Sequence, residues 1–179
     1  TVIRLMSEMA RHKMQENTPV EIDKISQSAD DVLNKMNAII WSMNSGNDSL
    51  DNMVSYIRAY AQDYFDNTAI ELRFQVIPEN LPHIELSGDK RRNIFLSVKE
   101  SLNNILKHAH ATEVSIKVTL DTHLEVTIKD NGKGINMDAI RRFGNGLNNI
   151  KRRMEGIGGT YEIYANNGTV TNLSLPLFW

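Results

Sequence analysis

Apolar residues at Ile22, Ile25, Ala29, Val32, Met36, Ile39 and Met43 recur at alternating steps of three and four. That spacing predicts a helix whose seam needs apolar partners along its whole length. Leu33 and Ile40 widen the stripe beyond what a two-stranded coiled coil requires, which suits a four-helix bundle made from two hairpins. The first arm of such a hairpin is read over residues 1–16, where Val2, Leu5, Met6 and Met9 share a stripe. Asn17-Thr18-Pro19 breaks it, and Thr18, Pro19 and Glu21 start the second arm as cap, first-turn proline and capping box. Two coverings for the seam stay open: a second copy of the chain, which the strict heptads favour, or the chain's own globular part.

Beyond Ser45-Gly46-Asn47 the pattern changes. Asp48 or Ser49 is placed to cap a third helix reaching about residue 67. Its Tyr56, Tyr60 and Tyr64 recur every four residues and are read as packing surface. Residues 71–77 alternate as a half-buried strand, and 78–82 close it with loop chemistry. A central helix starts at Ser87-Gly88-Asp89 with a core stripe of Phe95, Val98, Leu102, Ile105 and Ala109. Strands follow at 113–120 and 124–130, a short helix or lid at 137–143, and a helix at 146–156. A closing hairpin spans 161–165 and 169–175 across Asn166-Asn167-Gly168, where Asn-Gly favours a tight turn. The expected class is α+β: an N-terminal helical hairpin, then a two-layer α/β sandwich. The boundaries expected are 1–47 for the hairpin, 48–67 for a connecting helix and 68–179 for the sandwich.

Composition narrows the chemistry. The 179 residues are 41% apolar and 23% charged, as in a globular protein, and the formal charge of −2 argues against nucleic acid as the main ligand. Without cysteine there is neither a disulfide nor a thiolate metal site. No apolar run is long enough to span a bilayer and no signal peptide is evident, so no membrane contact is expected of these residues. Beginning at Thr1 without Met, the chain is read as a fragment, with any membrane segment upstream.

Glu100 and Asn104 are one helical step of four apart and lie away from the apolar stripe, so taken singly they read as solvated surface. They are followed, after two strands, by Asp130, Gly132 and Gly134 in a D-x-G-x-G turn. Gly144 and Gly146 then open the next helix, where outward-pointing amides suit a phosphate. As an ordered set these three stretches resemble the N, G1 and G2 boxes of the GHKL ATPase superfamily, and most closely a sensor histidine kinase. The run IIWSMNSGNDSLDN, residues 39–52, is similar to a junction in kinases of the nitrate-sensor type.

The resemblance implies a Bergerat-type fold, ATP and Mg²⁺ as ligands, and phosphoryl transfer to histidine and on to a response-regulator aspartate. It implies that Asn104 gives an oxygen to Mg²⁺ and that Glu100 is the base or orienter for the attacking imidazole. Asp130 would accept from the adenine amine, a bond guanine cannot give. Gly132 and Gly134 would admit base and ribose, Gly144 and Gly146 would let a lid fold over the triphosphate, and Lys107 and His108 would flank the phosphates, with a solvated charge as the other reading of Lys107. Thr169 or Thr171 would reach adenine through water, with ordinary β packing as the other reading. Asn131 is either a neighbour of the site or a turn residue. Arg141, Arg142, Lys151, Arg152 and Arg153 surround the glycine pair, some screening the triphosphate and the rest solvated. His83, His110 and His123 receive no role, and no cluster has zinc-site spacing.

The family's phosphoacceptor histidine is not matched. It is expected roughly two turns upstream of Thr1, and His12, followed by Lys13 and Met14, is read as bundle surface. The partners implied are a second copy of the chain through the hairpin, giving a homodimer, and a receiver domain; the location implied is the cytoplasmic part of a membrane-anchored sensor. Two other readings are a nucleotide-gated dimeric module without phosphotransfer and an anti-sigma-type serine kinase. Glu100 and Asn104 speak against the first, and the long heptad hairpin against the second.

Overall fold

A computed structural model describes residues 48–135 and 146–177, together with positions 29, 32, 36, 40 and 41, which are helical. The chain divides into two compact units, 1–43 and 44–179. In the first, Val32, Met36 and Ile40 are more than half exposed. The remainder of the expected hairpin, His12 included, lies outside the described residues, as do the expected lid at 137–143, Arg141, Arg142 and Gly144.

The second unit begins with α1 (Leu50–Phe65), capped by Ser49, whose hydroxyl accepts from the Asn52 amide at 3.2 Å. Strand β1 (Glu71–Ile77) leads through a loop to α2 (Gly88–Asn104), and β2 (Glu113–Leu120) and β3 (His123–Asp130) follow. Helix α3 (Gly146–Gly156) precedes the hairpin β4 (Thr160–Ala165) and β5 (Thr169–Pro176). The five strands lie in the order β1-β2-β3-β5-β4, with β1 parallel to β2 and the other pairs antiparallel. This is the expected two-layer α/β arrangement.

Period-two alternation gives the sheet one wet and one dry face. Cross-strand register lines up Val76, Val118, Val126, Leu173 and Tyr161 in one row, and Phe74, Ile116, Ile128, Thr171 and Ile163 in the next. Most of these residues are buried, whereas Lys117, Glu125 and Glu162, one position along, are half-buried or exposed. The same alternation carries Asp130, paired with Val114, onto the dry face at the end of β3. Helix α2 buries Ile94, Phe95, Val98 and Leu102. Its buried Ser97 and Ser101 satisfy their hydroxyls by donating to the carbonyls four residues back. The tyrosines of α1 do pack: the Tyr56 and Tyr60 rings lie 4.8 and 5.1 Å from Phe95, and the Tyr64 hydroxyl donates to Asn103 Oδ1 at 3.4 Å.

Just before α1 the chain is tied down. Leu50 N donates to Ile84 O at 2.8 Å, Leu86 N donates to Asp48 O at 3.0 Å, and Ser49 bridges Glu85. Arg91, on the first turn of α2 and fully buried, pairs with Asp48 at 2.5 Å. Removing one member of a buried pair strands the other charge, an effect lessened here because Asp48 is half-exposed. Asp48→Ala is expected to lower unfolding stability by about 2 kcal/mol, read as a fall in denaturant midpoint at constant slope. An unchanged midpoint would show that the pair contributes nothing.

Candidate nucleotide-binding site

Helix α2 ends where its hydrogen-bond pitch widens. Residues Ile105–Ala109 form a single π-helical turn, a geometry often found at functional sites, and His110 then adopts the left-handed conformation at φ 55°. The turn leaves Lys107 and His108 exposed while Ile105 and Ala109 stay buried. It also aims the Ala109 carbonyl at the D-x-G-x-G loop, where Lys133 N donates to it at 2.9 Å. A side chain at Gly132 would collide with that carbonyl, so this position requires glycine.

Asn131 completes the link. Its Oδ1 accepts from Thr112 N and Glu113 N at 2.9 and 3.0 Å, and its Nδ2 donates to Thr112 Oγ1 at 2.9 Å. Asn131 therefore splices the loop after β3 to the entry of β2.

Asp130 is 2% exposed, yet its carboxylate is well provided for: Oδ1 accepts from Gly132 N at 2.8 Å and from Thr169 N at 3.2 Å. Both of these bonds use the same oxygen. The β4–β5 turn thus reaches the site through Gly168, whose φ of 122° and contact with the Asp130 carbonyl exclude a side chain. Gly134, at φ 76°, lies against the Gly168 carbonyl. Thr171 is 6% exposed and pairs with Ile128, one row along the dry face from Asp130. Thr169 meets Asp130 through its backbone amide.

Glu100 and Asn104 are half-buried, which corrects the solvated face that periodicity alone suggests. At Glu100 the cause is α3, which packs on α2 and brings Gly146 against the carboxylate so closely that a Cβ there would strike Oε1. A carboxylate at a helix N-terminus is favourably placed for the macrodipole. On α3, Lys151 and Arg152 are exposed, whereas Arg153 is half-buried and its Nη1 is buried without a hydrogen-bond partner among the described residues.

The structure therefore joins the expected residues in two groups. Asp130, Gly132 and Gly134 converge with Gly168 and Thr169, and Glu100 meets Gly146; the π turn carrying Lys107 and His108 ties the α2 end to the first group. The contact of Gly168 with Asp130, the bond from the Thr169 amide and the inward turn of Arg153 have no place in the sequence reading. The Asn-Gly dipeptide signalled the turn but not its destination, because register across three strands decides that.

Residues 89–178 match the family described as histidine kinase-, DNA gyrase B- and HSP90-like ATPase. The chain is 33% identical over 89 residues to the sensor histidine kinase LiaS of Bacillus subtilis, covering 48% of this chain and 25% of that protein. It is 36% identical over 92 residues to the signal transduction histidine-protein kinase/phosphatase UhpB of Salmonella typhimurium, covering 51% and 18%. The chain thus spans a quarter or less of the length of these two relatives. Among solved structures, the blue-light activated histidine kinase of Erythrobacter litoralis superposes with a TM-score of 0.61 at 22% identity, over 83% of this chain and 54% of that one. With the family match covering half of its length, the chain belongs to the histidine kinase-, DNA gyrase B- and HSP90-like ATPase family.

Proposed function

We propose that this chain is the catalytic core of a sensor histidine kinase, binding Mg-ATP and passing the γ-phosphate to a histidine of the full-length protein and then to a response-regulator aspartate. The observation that carries the proposal is the meeting of Glu100 with the N-terminus of α3, beside a loop that buries Asp130 among backbone amides. In this reading residues 1–47 dimerise as a helical hairpin, 48–67 connect, and 68–179 bind nucleotide. The uncovered apolar positions Val32, Met36 and Ile40 support a second copy as the hairpin's partner. No helix among the described residues is long and apolar enough to cross a membrane, and a cytoplasmic location is part of the proposal.

Asp130 orients adenine with its second carboxylate oxygen while Gly132 and Gly134 let the ring approach the backbone. The amides opening α3, with Lys107 and His108, face the triphosphate. Asn104, half-buried at the end of α2, offers a neutral amide oxygen, a donor that suits a cation arriving with ATP and keeping most of its waters. Mg²⁺ bound there would draw charge from the β- and γ-phosphate oxygens, and Asn104 is the residue that would hold it. Glu100 holds the protonated nitrogen of the acceptor imidazole. The other ring nitrogen attacks the γ-phosphorus, the bond to the bridging oxygen breaks with its electron pair left on ADP, and the ring proton passes to Glu100.

Titration calorimetry tests this directly. ATP is expected to bind more tightly with magnesium than without and to be displaced by ADP, and Asn104→Ala is expected to erase the magnesium increment, about tenfold in affinity. The full-length protein is expected to label on histidine with γ-labelled ATP. Absence of heat with either form of ATP would end the proposal.

A further inference from the structure

The sequence holds three Asn-Gly pairs, at 131–132, 145–146 and 167–168, of which Asn145 lies outside the described residues. Asparagine is among the thermolabile side chains. Before glycine it is at its most reactive, because no Cβ on the next residue shields the backbone nitrogen that attacks the side-chain amide carbon. The two described pairs stand in opposite states. At Asn131 both reacting groups are tied down: Oδ1 accepts from Thr112 N and Glu113 N, Nδ2 donates to Thr112 Oγ1, and Gly132 N donates to Asp130 Oδ1. Asn167 sits at the tip of the β4–β5 hairpin, exposed and in the left-handed conformation at φ 47°. Its side chain makes no hydrogen bond among the described residues. The residues after it are the docked ones. Gly168 is buried, a Cβ on it would strike the Asp130 carbonyl, and Thr169 N donates to Asp130 Oδ1 at 3.2 Å.

We propose that Asn167 is a deamidation site whose conversion to isoaspartate loosens the hairpin's hold on Asp130. The Gly168 nitrogen gives up its proton and bonds to Asn167 Cγ, the Cγ–Nδ2 bond breaks, and the NH₂ leaves with that proton as ammonia. Water then opens the succinimide ring. Addition at Cγ gives aspartate, and addition at the main-chain carbonyl carbon gives isoaspartate, whose backbone runs through Cβ and Cγ. Water is the sole co-reactant. Isoaspartate lengthens the path between Ala165 and Thr169, which pair across the two strands, by one atom. With Gly168 already packed against the Asp130 carbonyl, the added atom has no room on that side, so the turn lifts and the Thr169 amide withdraws from Oδ1. The effect on ATP rests on the nucleotide site proposed above; the modification itself does not.

The test holds the folded chain at mildly alkaline pH and follows positions 131 and 167 by peptide mapping that resolves aspartate from isoaspartate. Asn167 is expected to convert about tenfold faster than Asn131, whose hydrogen bonds must break first. In denaturing urea the two rates are expected to agree within about threefold, because the fold sets the difference. Hydrogen exchange reads the consequence without nucleotide: in the aged chain the Thr169 amide is expected to exchange about tenfold faster, while those of Thr112 and Glu113 keep their protection. ATP affinity of the aged chain is expected to fall about tenfold. Asn167→Gly has no amide to lose and accepts a positive φ, so its affinity is expected to survive the same ageing. Equal rates at 131 and 167 in the folded chain would overturn the proposal, as would isoaspartate at 167 with unchanged Thr169 exchange. An equal loss of affinity in aged Asn167→Gly would place the cause elsewhere and overturn it too. A fresh chain that binds no ATP would overturn the nucleotide site instead, and mapping and exchange would still decide this proposal.

Discussion

Glu100→Gln is expected to slow autophosphorylation of the full-length protein by about 10² to 10³-fold, the range typical of a lost acid–base group. Glutamine has nearly the shape of glutamate, so it still fits the tight space left by Gly146 on α3. What it loses is the capacity to take a proton from the imidazole, and the negative charge beside the N-terminus of α3. Affinity for ATP should stay within about threefold, because the nucleotide is held elsewhere. Initial labelling rates at saturating ATP measure the first effect and calorimetry the second. A variant that labels at the wild-type rate would remove Glu100 from the mechanism.

Asp130→Asn is expected to weaken ATP binding about 100-fold, equivalent to about 2.7 kcal/mol. The amide oxygen of asparagine can still accept from Gly132 N and Thr169 N, so the loop should keep its form. The other atom changes from an acceptor to an NH₂ donor, which faces the adenine amine with like polarity at a position only 2% exposed. The same NH₂ is a suitable donor for the guanine carbonyl, so the ratio of ATP to GTP affinity should fall further than ATP affinity alone requires. Competition titrations with both nucleotides give that ratio. An unaltered ratio would mean that Asp130 does not read the base.

How much of this was legible in the sequence depended on the range of the interaction that decides each feature. The strands, the start of α2 at Ser87 and the core stripe from Phe95 to Ala109 follow from local periodicity and capping, and the structure has them where the pattern put them. Asp130 was legible twice, as part of the D-x-G-x-G turn and as the fourth in an alternating series after Leu124, Val126 and Ile128. Glu100 shows the opposite case. Periodicity on its own helix turns it to solvent, and the packing of α3, 46 residues later, covers it. The π turn at 105–109 had no local signal either; apolar spacing continues smoothly from Leu102 through Ile105 to Ala109, and the widened pitch appears with the Ala109 carbonyl bound to Lys133 N. Arg153 sat in a run of three cations that composition treats alike, and burial in the folded domain singles out one of them.

The tie at residues 48–50 separates the order of the chain from the order in which load is carried. Along the sequence, the 16-residue α1 and the whole of β1 stand between Asp48 and the start of α2. Through space the distance is one ion pair and two backbone hydrogen bonds, to Arg91, Ile84 and Leu86. The Asp48–Arg91 pair therefore fastens the entry of α1 directly to the first turn of α2, from which a continuous helix runs to Glu100, nine residues past Arg91.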